Sequence, residues 1–176
     1  CSSDLQQSAD IVKRTAAHFG RLDILVNNAA RGGKAIAVER MPLEEWQATV
    51  NLNLTGPFLM SKAAVPIMRG QRFGRIINIS SMAVITTYPY VAYKATKAAM
   101  VSFTEQLAYQ NAEYGIRANV ILPGLMNTPM AVDTRAREFK KSRAQVEAER
   151  DSKVPLRRKM GTGWDVANAA LFLASE

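Results

Sequence analysis

Tyr93 and Lys97 stand four residues apart in a stretch of helical periodicity, so one face carries both a phenol and an ammonium. A phenol ionises near pH ~10, too high for ordinary acid–base work. A neighbouring ammonium favours the phenolate and brings that value down. The pair can then act as a general acid or base. On an open helix surface the same spacing would do nothing, so the surroundings decide. Ser81 closes an apolar run 12 positions before Tyr93, where a hydroxyl can hydrogen-bond a carbonyl. Asn53 follows a helical stretch beginning near Trp46, where an amide can hold a water. Asn27 and Asn28 close another apolar run.

Three short runs rich in β-branched residues, 24–26, 76–79 and 118–122, read as strands. Each is nearly continuous rather than alternating, as expected of parallel strands buried on both faces. Helical periodicity covers 8–19, 43–68, 90–114 and 164–174. The second stretch is interrupted by Gly56-Pro57 and Pro66 and reads as two helices or one kinked one. The third closes at Gly115. Strands joined by crossovers this long predict an α/β fold: a doubly wound parallel sheet with helices on both faces. The polar, amphipathic segment 131–160 follows a strand end and reads as a helical flap over it. Open parallel sheets bind ligands beyond the carboxyl ends of their strands. Those ends carry Asn27-Asn28-Ala29-Ala30, Ser80-Ser81, and Pro123-Gly124 followed by Thr128.

This joint pattern resembles the short-chain dehydrogenase/reductase family, in the non-epimerase branch of the 3-oxoacyl-carrier-protein reductases and glucose 1-dehydrogenases. The stretches that carry the likeness are Leu22-Asp-Ile-Leu-Val-Asn-Asn-Ala-Ala30, Trp46 through Asn53-Leu-Thr-Gly56, and Gly74-Arg-Ile-Ile-Asn-Ile-Ser-Ser81. Tyr93-Lys-Ala-Thr-Lys97, Gly115-Ile-Arg-Ala-Asn119 and Pro123-Gly-Leu-Met-Asn-Thr128 complete it. The resemblance implies a Rossmann-like oxidoreductase that interconverts a secondary alcohol and a ketone with NAD or NADP. Tyr93 would be the general acid/base. Lys97 would lower its pKa and hydrogen-bond the nicotinamide ribose. Ser81 would orient the substrate oxygen, and Asn53 would hold a water that links Lys97 to bulk proton exchange. Asn27 and Ala29 would line the adenosine side; Pro123, Gly124 and Thr128 would border the nicotinamide. Residues 1–176 would form one partial domain, lacking the family's first strands and its last strand. The small residues Ala95, Ala98 and Ala99 on the Tyr93 helix would let two copies pair, giving a dimer or tetramer. A non-catalytic binding or oligomerisation module of the same fold is the alternative.

Some residues depart from the family pattern. Ala30 stands where glycine is usual. Cys1 stands where an adenine-binding Asp is usual, unless Asp4 substitutes. Counting back from Tyr93 selects Ser80 as the hydroxyl, whereas anchoring on the strand selects Ser81; a loop deletion is easier than a register shift. Gly32-Gly33 and Gly161-Thr162-Gly163 follow no strand and lack the third glycine of a phosphate loop.

Composition excludes other classes. The chain of 176 residues is 48% hydrophobic and 22% charged, a globular balance. No apolar run approaches the ~18–20 residues of a membrane span. One cysteine and one histidine, Cys1 and His18, exclude an intramolecular disulfide and a Cys-rich zinc site. A lone thiol suits the reducing cytoplasm. The net charge of +8 is densest between Arg135 and Lys159, where four acids interrupt it and Phe139 is the only aromatic. That pattern predicts a solvated face and no nucleic-acid partner. Arg157-Arg158-Lys159 could instead meet an anionic substrate tail. Tyr88, Tyr90, Met126 and Met130 could line a substrate pocket.

Overall fold

The computed structural model describes residues 2–175, with side chains described from Gln7 onward. Helix α1 (Ser2–Phe19) leads to β1 (Ile24–Asn27). Helices α2 (Leu43–Val50) and α3 (Gly56–Gln71) then lead to β2 (Gly74–Ile79), and α4 (Val91–Asn111) to β3 (Ile116–Ile121). The three strands form one parallel sheet in the order β1-β2-β3. Register runs from Ile24 against Arg75 on one side and from Gly74 against Ile116 on the other. This is the α/β parallel sheet of the Rossmann type that the strand–helix alternation predicts.

The main core gathers Val12 of α1, Leu25 of β1, Ala64 and Met68 of α3, Ile76 of β2, Leu107 of α4 and Ile116 of β3. Ile77 projects from the opposite face, because side chains alternate along a strand. β1 departs from the expectation of burial on both faces. Leu25 and Asn27 are buried while Ile24 and Val26 are half exposed, since α1 and α3 cover only one side of it. Toward the carboxyl ends the core turns polar. The Asn27 amide donates to Asn78 Oδ1 (2.8 Å), the Asn78 amide to Thr104 Oγ1 (2.9 Å), and the Thr104 hydroxyl to the Met100 carbonyl. Asn78 is fully buried, so each of these bonds offsets a desolvation cost of about 1–3 kcal/mol.

The stretch from Leu43 to Gln71 does not break at Gly56-Pro57. A π-helical turn, Asn51–Thr55, widens the helix just before the proline, and Pro57 then occupies the first turn of α3. Proline has no N–H to give the carbonyl four residues back, and the wider turn relieves the clash of its ring with that carbonyl. The carbonyl in question is that of Asn53.

Beyond β3 lie β4 (Met126–Asn127), α5 (Pro129–Glu138), α6 (Arg143–Asp151), β5 (Gly161–Thr162) and α7 (Gly163–Ala174). β4 and β5 pair in parallel, Met126 against Gly161, and α7 packs against β2 and β3. The Ser142 side chain and Gln145 form a capping box that starts α6. Val132, Val146 and Met160 build a second hydrophobic cluster that holds α5, α6 and β5 together. Among the described residues no helix is long and apolar enough to cross a membrane.

Candidate active site

Hydrogen bonds beyond the end of β2 fix where Ser81 sits. Ser80 N–H donates to the Ile121 carbonyl (2.8 Å) and Met82 N–H to the Pro123 carbonyl (3.0 Å), so the ends of β2 and β3 stay side by side. The Ser81 side chain caps the short 3-10 turn Met82–Val84 by accepting from Ala83 N–H (3.1 Å). With that acceptor role filled, the hydroxyl proton is free to point elsewhere. It lies beside the Tyr93 phenol and, as a donor to it, favours the phenolate. The Ser80 hydroxyl instead donates to the Lys97 carbonyl (2.7 Å) deep in the interior, tying the strand end to α4. The two neighbouring serines thus face different ways, and only Ser81 meets Tyr93.

Tyr93 and Lys97 project from the same face of α4, one turn apart, and are 8% and 3% exposed. The Lys97 ammonium donates to the Ile79 carbonyl (2.6 Å) and stands 5.7 Å from the Tyr93 ring centre. Burial pushes the Lys97 ammonium down to about 8 from its ordinary 10.5. Burial also pushes the Tyr93 phenol up, with Ser81 and then Arg135 pulling the other way. The sequence reading expects Lys97 to bring Tyr93 down. In the structure desolvation of Tyr93, packed against Tyr88, Tyr90 and Ala83, is the larger effect.

The Lys97 shift makes stability depend on pH. Between pH 8 and 10.5 the unfolded chain holds a proton that the folded chain has released, so stability rises with pH. Above about pH 10 the tyrosines reverse the trend. Tyr93 is raised, and Tyr90 is pushed up to about 12 by burial and its bond to Glu138, so the folded chain keeps protons that the unfolded chain loses. Urea unfolding of the protein should show a gain of about 1–2 kcal/mol between pH 8 and 10. Lys97→Met should flatten it; an unchanged slope in that variant would place the titrating group elsewhere.

Asn53 is 1% exposed on the π-helical turn. Its Oδ1 accepts from Arg31 N–H (2.8 Å), and its amide donates to the Arg31 carbonyl (2.9 Å) and Thr96 Oγ1 (3.2 Å). Both amide protons are therefore engaged, and the side chain pins the loop after β1 onto α4.

A cleft of about 1890 Å³ opens in front of these groups. Ser81, Tyr93, Lys97, Pro123, Gly124 and Thr128 all line it. Asn27 and Ala29 do not. Asn27 turns inward to Asn78, and the wall at the end of β1 is made by Val26, Asn28 and Ala30. Strand alternation explains this, because Asn27 shares the buried face with Leu25. Thr128 accepts from Ala131 N–H (3.3 Å) and caps α5 at the cleft edge. Tyr88, Tyr90, Met126 and Met130 line the cleft too. Cys1 and Asp4 lie outside the described side chains. Arg157 and Arg158 are exposed and away from the cleft; the flap cations that line it are Arg135, Arg137, Arg150 and Lys153, with Arg31 and Lys97 on the sheet side. Sequence reasoning missed Arg135 and Arg150, whose helical spacing looks like any solvated face.

Comparison with known proteins agrees with this geometry. A family model described as enoyl-(acyl carrier protein) reductase matches residues 2–176. The chain is 37% identical over 177 residues to 3-oxoacyl-[acyl-carrier-protein] reductase FabG of Thermotoga maritima, covering 99% of this chain and 67% of that protein. It is 37% identical over 161 residues to glucose 1-dehydrogenase 2 of Bacillus subtilis, covering 90% of this chain and 59% of that protein. The crystal structure of NAD+-bound xylitol dehydrogenase superposes with a TM-score of 0.89 at 29% identity, over 98% of this chain and 69% of that one. The chain thus spans roughly 59–69% of the length of these relatives. A parallel sheet with Ser81, Tyr93 and Lys97 converging at its carboxyl edge, matched along the whole chain by one family model, makes it a member of the short-chain dehydrogenase/reductase family.

Proposed function

We propose that the protein interconverts a secondary alcohol and a ketone, with NAD or NADP as hydride carrier. The observation that carries this reading is the Ser81 hydroxyl beside the buried Tyr93 phenol, one helical turn from buried Lys97, all facing one cleft. Tyr93 gives or takes the proton at the reacting oxygen, and Ser81 holds that oxygen by a second hydrogen bond. The nicotinamide, when bound, supplies or accepts the hydride. The residues present fit its ribose end. Lys97 has three donors, and among the described residues its one hydrogen bond is to Ile79, which leaves two for ribose hydroxyls. Pro123, Gly124 and Thr128 border the nicotinamide on this reading.

A phenol keeps its proton near neutral pH and gives it to a carbonyl oxygen in reduction, whereas oxidation needs the phenolate. Ala95 and Ala98 are exposed on α4, as is Tyr109, which supports pairing of two copies through that helix. The single cysteine supports a reducing compartment such as the cytoplasm.

The test is a steady-state assay of the full-length protein with NADH and NADPH against a panel of ketones, in wild type and two serine variants. Ser81→Ala should lower turnover about a hundredfold. Ser80→Ala should cost about 1 kcal/mol of stability through the lost bond to Lys97. Loss of turnover confined to Ser80→Ala would transfer the role to Ser80. No nicotinamide-dependent turnover of any ketone by wild type would overturn the oxidoreductase reading.

A further inference from the structure

We propose that the substrate of this site carries an oxyanion, a carboxylate or phosphate, held by Arg135 and Arg150 at the flap side of the cleft. The inference rests on the oxidoreductase reading for its substrate but on separate residues for its evidence.

Arg135 lies on α5 and Arg150 on α6, and both line the cleft that Tyr93 faces. Arg135 donates to the Tyr88 hydroxyl (2.7 Å) and the Ala131 carbonyl (2.9 Å), and its guanidinium lies 5.4 Å from the Tyr90 ring centre. Tyr88 in turn stacks 5.8 Å from Tyr93, so one aromatic ring separates this cation from the reactive phenol. Arg150 contacts Met160 Sδ through its Nε (3.2 Å), and among the described residues neither of its terminal nitrogens has a hydrogen-bond partner. Those two nitrogens form the fork that matches a carboxylate or phosphate.

Every carboxylate of the flap is engaged elsewhere. Asp133 pairs with Arg143, as does Glu147, and Glu149 pairs with Lys141. Asp151 holds Lys159 and the Met160 N–H, and Glu138 holds the Tyr90 hydroxyl. No carboxylate lies within 4.0 Å of Arg135 or Arg150 among the described residues. Two half-buried guanidiniums thus share the cleft without a counter-charge. Burial and the field of Arg135 hold the Arg150 guanidinium below its ordinary value. A half-buried like-charge pair is unfavourable on its own, and an anion between the two relieves it. Arg137 and Lys153 at the same cleft extend the positive field toward solvent.

Calorimetric titration of the protein tests this without turnover. The probes are 3-hydroxybutyrate for carboxylate, glycerol 3-phosphate for phosphate, and methyl 3-hydroxybutyrate as the uncharged counterpart. At least one anion should bind tenfold or more tightly than the ester, and added salt should weaken that binding. Arg150→Met and Arg135→Met should each weaken the anion about tenfold or more and leave the ester little changed, whereas Arg157→Met should leave both unchanged. Arg150→Lys, which keeps charge but loses the fork, should fall between. Which anion binds distinguishes carboxylate from phosphate. The proposal is overturned if the ester binds as tightly as both anions, if neither anion binds, or if the arginine variants lose anion and ester in parallel. Anion binding together with failed turnover would instead count against the oxidoreductase reading alone.

Discussion

Tyr93→Phe is expected to reduce turnover by a thousandfold or more while the protein stays folded and still binds its ligands. Positioned proton transfer contributes about 10²–10⁴ in rate, and Phe removes the only group at Tyr93 able to make it. The ring that packs against Tyr88, Tyr90 and Ala83 is retained. The Ser81 hydroxyl loses one neighbour but keeps the Ala83 N–H. Stability should therefore shift by no more than about 1 kcal/mol. Steady-state kinetics beside a thermal melt separates the two effects. Turnover within tenfold of wild type would mean that another group moves the proton. A melt collapsing together with activity would mean that the hydroxyl is structural.

Gly115→Val should destabilise the protein by about 3 kcal/mol or more. Gly115 closes the 3-10 turn Ala112–Tyr114 that follows α4, at φ +71, a region where a β-branched residue is a strong outlier. A Cβ there would sit 2.6 Å from the Arg72 carbonyl oxygen, which is backbone and cannot swing aside. Arg72 itself closes α3 in the left-handed region (φ 54), and its guanidinium donates to the Glu113 carbonyl (2.8 Å). Two helix ends therefore meet where β2 and β3 begin, and moving one moves both strands. Gly20 provides the comparison: its φ is +75, but nothing lies within 4 Å of its missing Cβ. Gly20→Ala should cost only about 1 kcal/mol. Equal losses at the two positions in urea unfolding would show that backbone conformation alone, and not the contact with Arg72, sets the cost.

The parallel sheet and the convergence of Ser81, Tyr93 and Lys97 are legible in the sequence because they depend on local signals. Continuous apolar runs, a glycine at a helix end and a four-residue helical spacing each act within a few positions. The Ser80–Ser81 ambiguity also resolves by a local rule, since strand register sends one hydroxyl inward and the next into the cleft. The same rule applied to Asn27 and Asn28 would have turned Asn27 inward to Asn78 and left Asn28 facing the cleft. What the sequence hides is the balance of opposed long-range effects. Burial acts on Tyr93 against Ser81 and Arg135, and burial prevails because Tyr88 and Tyr90 pack on the ring from a loop. The partners of Asn53 are equally hidden, because Arg31 lies 22 residues away and offers its backbone rather than its side chain. On the flap, nine charges of both signs lie along α5 and α6, and nothing in their spacing says which arginines will be left without an acid.

The flap and the sheet hold separate hydrophobic clusters, Val132–Val146–Met160 in one and Leu25–Met68–Ile76 and their neighbours in the other. Substitutions in well-separated clusters add with little coupling. The Tyr88–Tyr90–Tyr93 group joins the two, because Arg135 of α5 holds the Tyr88 hydroxyl and Glu138 holds that of Tyr90. A change confined to the Val132–Val146–Met160 cluster can therefore reshape the flap wall with little effect on Tyr93, whereas a change at Arg135 or Glu138 reaches Tyr93 through one ring.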